Sequence, residues 1–135
     1  MKVVLDTNVL VSGILSPFGR CGDVLRLIFN GELTLCVDSR ILCEYAEVLH
    51  RPRFQFDATD IDEILETLNH IAIHTSSVPL SHTLPDQDDK MFVEVALASS
   101  AKAIITGNLK HFPSRACCGA ICLSPAQFIE QYYHD

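Results

Sequence analysis

Short apolar runs, each closed by a polar or turn residue and separated by stretches of helical period, set the tightest limit on what this chain can fold into. Lys2 to Leu5, Leu33 to Val37, Ala103 to Thr106 and Ala120 to Leu123 read as strands. Strands alternating with helices are the pattern of an α/β domain with a largely parallel sheet. At 135 residues and 48% hydrophobic, the chain suffices for one domain, 1–135, around one core.

Between the runs, Asn8 or Thr7 can cap a helix from about Val9, broken near Pro17, and Asp23 to Asn30 continues as a second helical segment ended by Gly31. Asp38 or Ser39 caps a third, whose Ile41, Leu42, Tyr45, Val48 and Leu49 share one face before Pro52 limits it. The spacing predicts an amphipathic helix over Thr59 to His74, with Thr59 and Asp62 as a capping box. A loop with room for a short strand covers Val78 to Pro85, and a helix covers Asp86 to Ser99. Ser124 opens the last helix, with Pro125 in its first turn.

The net charge of −7 argues against a domain that holds nucleic acid through bulk positive potential. It leaves room for a nuclease, because a bound cation inverts the local charge of an acidic pocket. No apolar run reaches the roughly 18 residues of a membrane span, and Asp6 interrupts the first apolar stretch after three residues, unlike a secretory signal. A cytoplasmic protein with no membrane association, its six cysteines reduced, is expected. His70 and His74 stand at i, i+4, but on the polar face of their predicted helix and without a third ligand. Cys117, Cys118 and Cys122 lack zinc-knuckle spacing, and there is neither a glycine-rich nucleotide fingerprint nor a GxSxG elbow.

The acids are the informative polar residues. Asp6 directly follows Val3-Val4-Leu5, so it stands at the carboxyl end of a strand, where open parallel sheets bind ligands. Asn108 takes the equivalent place after Ala103 to Gly107. On the third helix, Glu44 falls about 40° beyond the edge of the apolar arc, and Glu47 further toward solvent. In the run LPDQDDKMFVEVA, helix phase sets Asp89 beside Val93 and Ala96 on the core side, with Lys90 and Glu94 on the polar side. Each acid alone has an ordinary reading as a cap or solvated charge; together, Asp6, Glu44 and Asp89 converge only if the sheet edge is a pocket. Closely packed carboxylates repel one another unless a cation or proton intervenes, which points to a divalent metal.

The segments VVLDTNVLVSG, ILCEYAEVLHRPRF and DQDDKMFVEVALASSAKAIITGNLKHF, in that order, resemble a PIN domain, in particular the prokaryotic group of toxin components of toxin–antitoxin pairs. The resemblance covers nearly the whole chain. It implies an α/β/α sandwich of three layers around a central, mainly parallel sheet, and a metal-dependent ribonuclease. It assigns the family's acids to Asp6, Glu44 and Asp89, with Asp86 as an outer or alternative ligand, and matches Thr106 to a nearby hydroxyl residue. The fourth acidic position, often Asp, is Asn108, which removes one negative charge from an oxygen-rich site for Mg²⁺ or Mn²⁺. The expected catalytic set is therefore Asp6, Glu44, Asp89 and Asn108. Asn8, Thr106, Arg20, Arg51 and Arg53 are the candidates for contacting an RNA substrate. A cognate antitoxin and a homodimer are the expected protein partners.

Two rival functions follow from the same residues. A phospho-acceptor or phosphatase domain also places Asp after a first parallel strand, but the position two beyond Asp6 is Asn8, and Lys102 precedes its strand. A non-catalytic PIN-like module that binds RNA or protein has Asn108 as its argument.

Overall fold

The computed structural model describes residues 1–81 and 83–133. Five strands form one sheet: β1 (Lys2–Leu5), β2 (Thr34–Val37), β3 (Ile73–His74), β4 (Ala103–Ile105) and β5 (Cys122–Leu123). Every pairing is parallel, and the order is β3-β2-β1-β4-β5. Val3, Val4, Leu5, Ile104 and Ile105 have no solvent exposure, as strands covered on both faces require.

Among the described residues, six α-helices surround the sheet: α1 (Thr7–Leu15), α2 (Arg20–Phe29), α3 (Ser39–Leu49), α4 (Ala58–Ile71), α5 (Lys90–Ser99) and α6 (Pro125–Tyr132). Helix α5 lies against β1, β2 and β4, whereas α1 packs on α2, α2 on α6, and α3 on α4. Phe92, Phe128, Tyr45 and Leu10 fill the space between helices and sheet. Tyr45 is buried with its hydroxyl donating to the Leu5 carbonyl at 2.6 Å, so a polar tip enters the core without an unpaired group.

Local chemistry accounts for the element ends and corrects several expected ones. Asp6, rather than Asn8 or Thr7, occupies the N-cap position of α1. Asp57 caps α4 by accepting the Asp60 amide at 3.1 Å, in place of the expected Thr59 and Asp62 box. That helix stops at Ile71; Ile73 and His74 leave it to pair with Cys36 and Val37, because an edge position beside β2 offers backbone partners. Residues 86–99 divide into a short 3-10 turn, Gln87–Asp89, and α5. No strand lies among the described residues of 78–85. At α6 the expected start holds, with Ser124 as the cap and Pro125 in the first turn, and Gln127 adds a reciprocal capping box. All six cysteines are free thiols. Among the described residues, no helix is long and apolar enough to cross a membrane.

Candidate metal and nuclease site

Strand order decides where a site can form. The chain builds β1, β2 and β3 outward in one direction and then returns to lay β4 on the other side of β1. Connections leaving β1 and β4 diverge at that reversal, opening a crevice at the carboxyl ends of the two central strands. Asp6 follows β1 and Thr106 follows β4, so both lie at its mouth.

Asp6 is 6% exposed, and its Oδ2 accepts the Thr106 hydroxyl at 2.7 Å. Burial raises its pKa; the Thr106 hydroxyl, the Thr7 and Asn8 amides and His111 pull in the opposite direction. The Asn108 amide donates to Thr106 Oγ1 at 3.0 Å, so the hydroxyl is held from both sides. Half-buried Glu44 reaches back from α3 to accept the Thr7 hydroxyl. Its pKa is raised by burial, then by the charges of Asp6, Asp88 and Asp86, while the Thr7 bond opposes the rise.

Asp89 closes the third side, from the turn that leads into α5. Burial, followed by the charges of Asp6 and Asp86, pushes its carboxyl up to about 7, with Glu44 adding and His111 opposing. Its Oδ2 is sealed from solvent and has no hydrogen-bond partner among the described residues. Buried polar atoms are almost always paired, so an orphaned carboxylate oxygen facing other acids fits a cation. The donor chemistry agrees, since carboxylates suit Mg²⁺ and Mn²⁺.

Sequence reasoning did not single out His111. It ends the 3-10 turn Leu109–His111, three residues after Asn108, and its Nδ1 lies 3.3 Å from Asp89 Oδ2. Its Nε2 is 3.1 Å from the Asn108 side-chain amide. Ligand atoms of Asp86, Asp89 and His111 all lie within 4.8 Å of one another. The i, i+3 spacing from Asn108 was the available signal, but it is informative only once a short turn is known to follow β4.

The other predicted residues are placed less closely. Asp86 is exposed and caps its turn through Oδ1, which accepts the Asp88 amide at 2.9 Å. Asn8 is exposed in the first turn of α1. Arg51 is exposed and held by Glu47 on α3 at 2.8 Å, near enough to Glu44 for the two charges to interact. Arg53 stacks on the Phe54 ring, 4.7 Å from its centroid. Arg20 lies at the start of α2, 3.5 Å from Asp23, and shares a surface cavity with Gly107 and Ser124. Glu94, expected on the polar side of its helix, is instead buried: it pairs with Arg40 at 2.7 Å and accepts the Leu80 amide.

A parallel α/β sheet whose reversal point gathers three carboxylates is the arrangement of a PIN domain, and the chain belongs to that family: residues 2–110 match the family described as PIN domain. An uncharacterized protein of Methanocaldococcus jannaschii is 33% identical over 113 residues, covering 80% of this chain and 71% of that protein. Two crystal structures share the fold. VapBC2 from Rickettsia felis, bound to a DNA fragment from its promoter, has a TM-score of 0.64 at 18% identity, over 92% of this chain and 98% of the other. FitAcB from Neisseria gonorrhoeae has a TM-score of 0.59 at 16% identity, with the same coverage.

Proposed function

We propose that this PIN domain is an endoribonuclease dependent on Mg²⁺ or Mn²⁺ and the toxin of a toxin–antitoxin pair. The observation that carries the catalytic reading is the meeting of Asp6, Glu44 and Asp89, whose charges act on one another, with a carboxylate oxygen among them that has no partner among the described residues. Asp6 and Asp89 would hold the cation, with Glu44 and Asp86 assisting. A divalent ion bound there supplies Lewis-acid polarization of the phosphodiester and lowers the pKa of water.

The side chains supply position and charge. Thr106 fixes the rotamer of Asp6, and Thr7 fixes that of Glu44, so the two carboxylates enter the crevice preoriented. Asp89 must surrender its proton for the site to fill, which it can do near neutral pH. Arg51, whose charge interacts with Glu44, and Arg20, which shares a cavity with Gly107, would take up flanking phosphates of an RNA strand, with Arg53 a further candidate. In this reading the acidic pocket would receive the scissile phosphate while arginines hold its neighbours.

The antitoxin partner rests on the resemblance of the sequence to PIN-domain toxins and on the two structural neighbours, which are toxin–antitoxin complexes. Co-expression with the product of an adjacent reading frame, followed by purification of a stable complex, tests that pairing. For catalysis, RNA cleavage with Mg²⁺ or Mn²⁺ should fall about 100-fold or more in Asp6→Asn, Glu44→Gln and Asp89→Asn, the scale of losing an electrostatic stabilizer in an active site. Full activity in all three variants removes the assignment. Asn108 favours the rival reading of a non-catalytic binding module, under which neither cleavage nor stabilization by metal occurs.

A further inference from the structure

We propose that His111 is a nitrogen ligand of the metal, oriented by Asn108, and that it shifts the site's preference from Mg²⁺ toward Mn²⁺. The inference rests on the metal-dependent reading above and adds a residue and a selectivity to it.

Three observations support it. The first is the relation between His111 and Asp89. Nδ1 stands 3.3 Å from Asp89 Oδ2, yet that oxygen makes no hydrogen bond among the described residues. A simple ion pair would align an N–H with the oxygen. Two ligands side by side on one octahedral ion need no such alignment, and metal–ligand lengths of about 2.1 Å set them roughly 3 Å apart. Second, Asp86 also presents a ligand atom to this pair, so nitrogen and oxygen donors converge from the turns that precede α5 and follow β4.

The third concerns the position where the family often carries an acid. The Asn108 amide lies 3.1 Å from the far ring nitrogen, Nε2. The atom that faces the ring is the amide nitrogen Nδ2; in the metal-bound site the amide is rotated end for end, its oxygen accepting the Nε2 proton, which leaves the Nδ1 lone pair free to bind metal. A side-chain oxygen that fixes the tautomer of a ligating histidine is a general feature of metal centers. The backbone N–H of Asn108 donates to Thr106, which in turn donates to Asp6, so the residue that carries the orienting side chain is anchored to the first carboxylate through its backbone. The charge missing at Asn108 is thereby accompanied by a nitrogen donor at His111. Imidazole nitrogen is bound more strongly by transition metals than by Mg²⁺, which demands oxygen.

Electron spin echo spectroscopy of the full chain loaded with Mn²⁺ tests this directly. The expected result is a nitrogen modulation that changes when histidine alone is isotopically labelled and that disappears in His111→Asp and His111→Ala. Competition between the two ions should show the preference for Mn²⁺ falling roughly tenfold or more in His111→Asp. Bound Mn²⁺ without histidine nitrogen coupling in the parent overturns the role of His111 and leaves the nuclease reading standing. Absence of Mn²⁺ binding overturns both. The parent spectrum decides between these results even if neither variant folds.

Discussion

Asp89 concentrates the conflict between stability and function at the scale of one side chain. Its carboxyl in the folded, metal-free protein titrates near 7, against 3.8 for the ordinary side chain, because burial and the charges of Asp6 and Asp86 disfavour the anion. Between those pH values the folded chain keeps a proton that the unfolded chain has released. Its contribution to metal-free stability is full below about pH 4, is lost as pH rises toward 7, and stays flat above. Thermal unfolding in a chelator should therefore reveal a downward slope over that interval that Asp89→Asn flattens; at pH 8 this variant should melt higher than the parent. An unchanged slope would show that the carboxyl is not held protonated. The position of Asp89 was legible from helix phase, whereas its orphaned oxygen and the approach of His111 were not: the partner histidine is 22 residues away (111 − 89), on a different element.

Elements were legible where one turn of chain contains the whole cause. Ser124 and Pro125 stand side by side, so the start of α6 could be read directly, and Gln127 closes the capping box there. Ser124→Ala should cost about 1 kcal/mol in urea unfolding. Glu94 illustrates the opposite case. Helix phase set it with Lys90 on the polar side of α5, but the segment 75–80 folds over that side, carrying the Leu80 amide to the carboxylate while Arg40 arrives from α3. Glu94 is only 6% exposed, so removing its cation leaves a buried anion short of compensation. Arg40→Met is expected to lower stability by about 2 kcal/mol, with Glu94→Gln milder because it removes the charge itself. Equal costs for the two would mean that the ion pair contributes little. The missed end of α4 has a similar origin, since the pattern of Ile71 and Ala72 continues a helical stripe and only the free edge of β2 draws the next residues into a strand.

At the scale of the whole molecule, the proposed metal site and the fold would be coupled by mass action. A cation that binds the folded chain alone stabilizes it by about 2.7 kcal/mol at a hundred times its dissociation constant. Titration with Mn²⁺ should therefore raise the melting temperature of the parent, reversibly on adding chelator, and leave the Asp6→Asn, Asp89→Asn double variant unmoved. The α/β class, the buried strands, the principal helices and the candidate acids were determined by sequence alone, because apolar period, capping chemistry and position at a strand end are local properties. Only the tertiary structure decided the order β3-β2-β1-β4-β5, and with it that Thr106 bonds Asp6 across 100 residues, that Glu44 leans onto Thr7, and that His111 stands beside Asp89. Those meetings depend on which strands pair and on where the chain reverses direction. Such choices are settled by packing the helices over the entire sheet, at distances that no local pattern encodes.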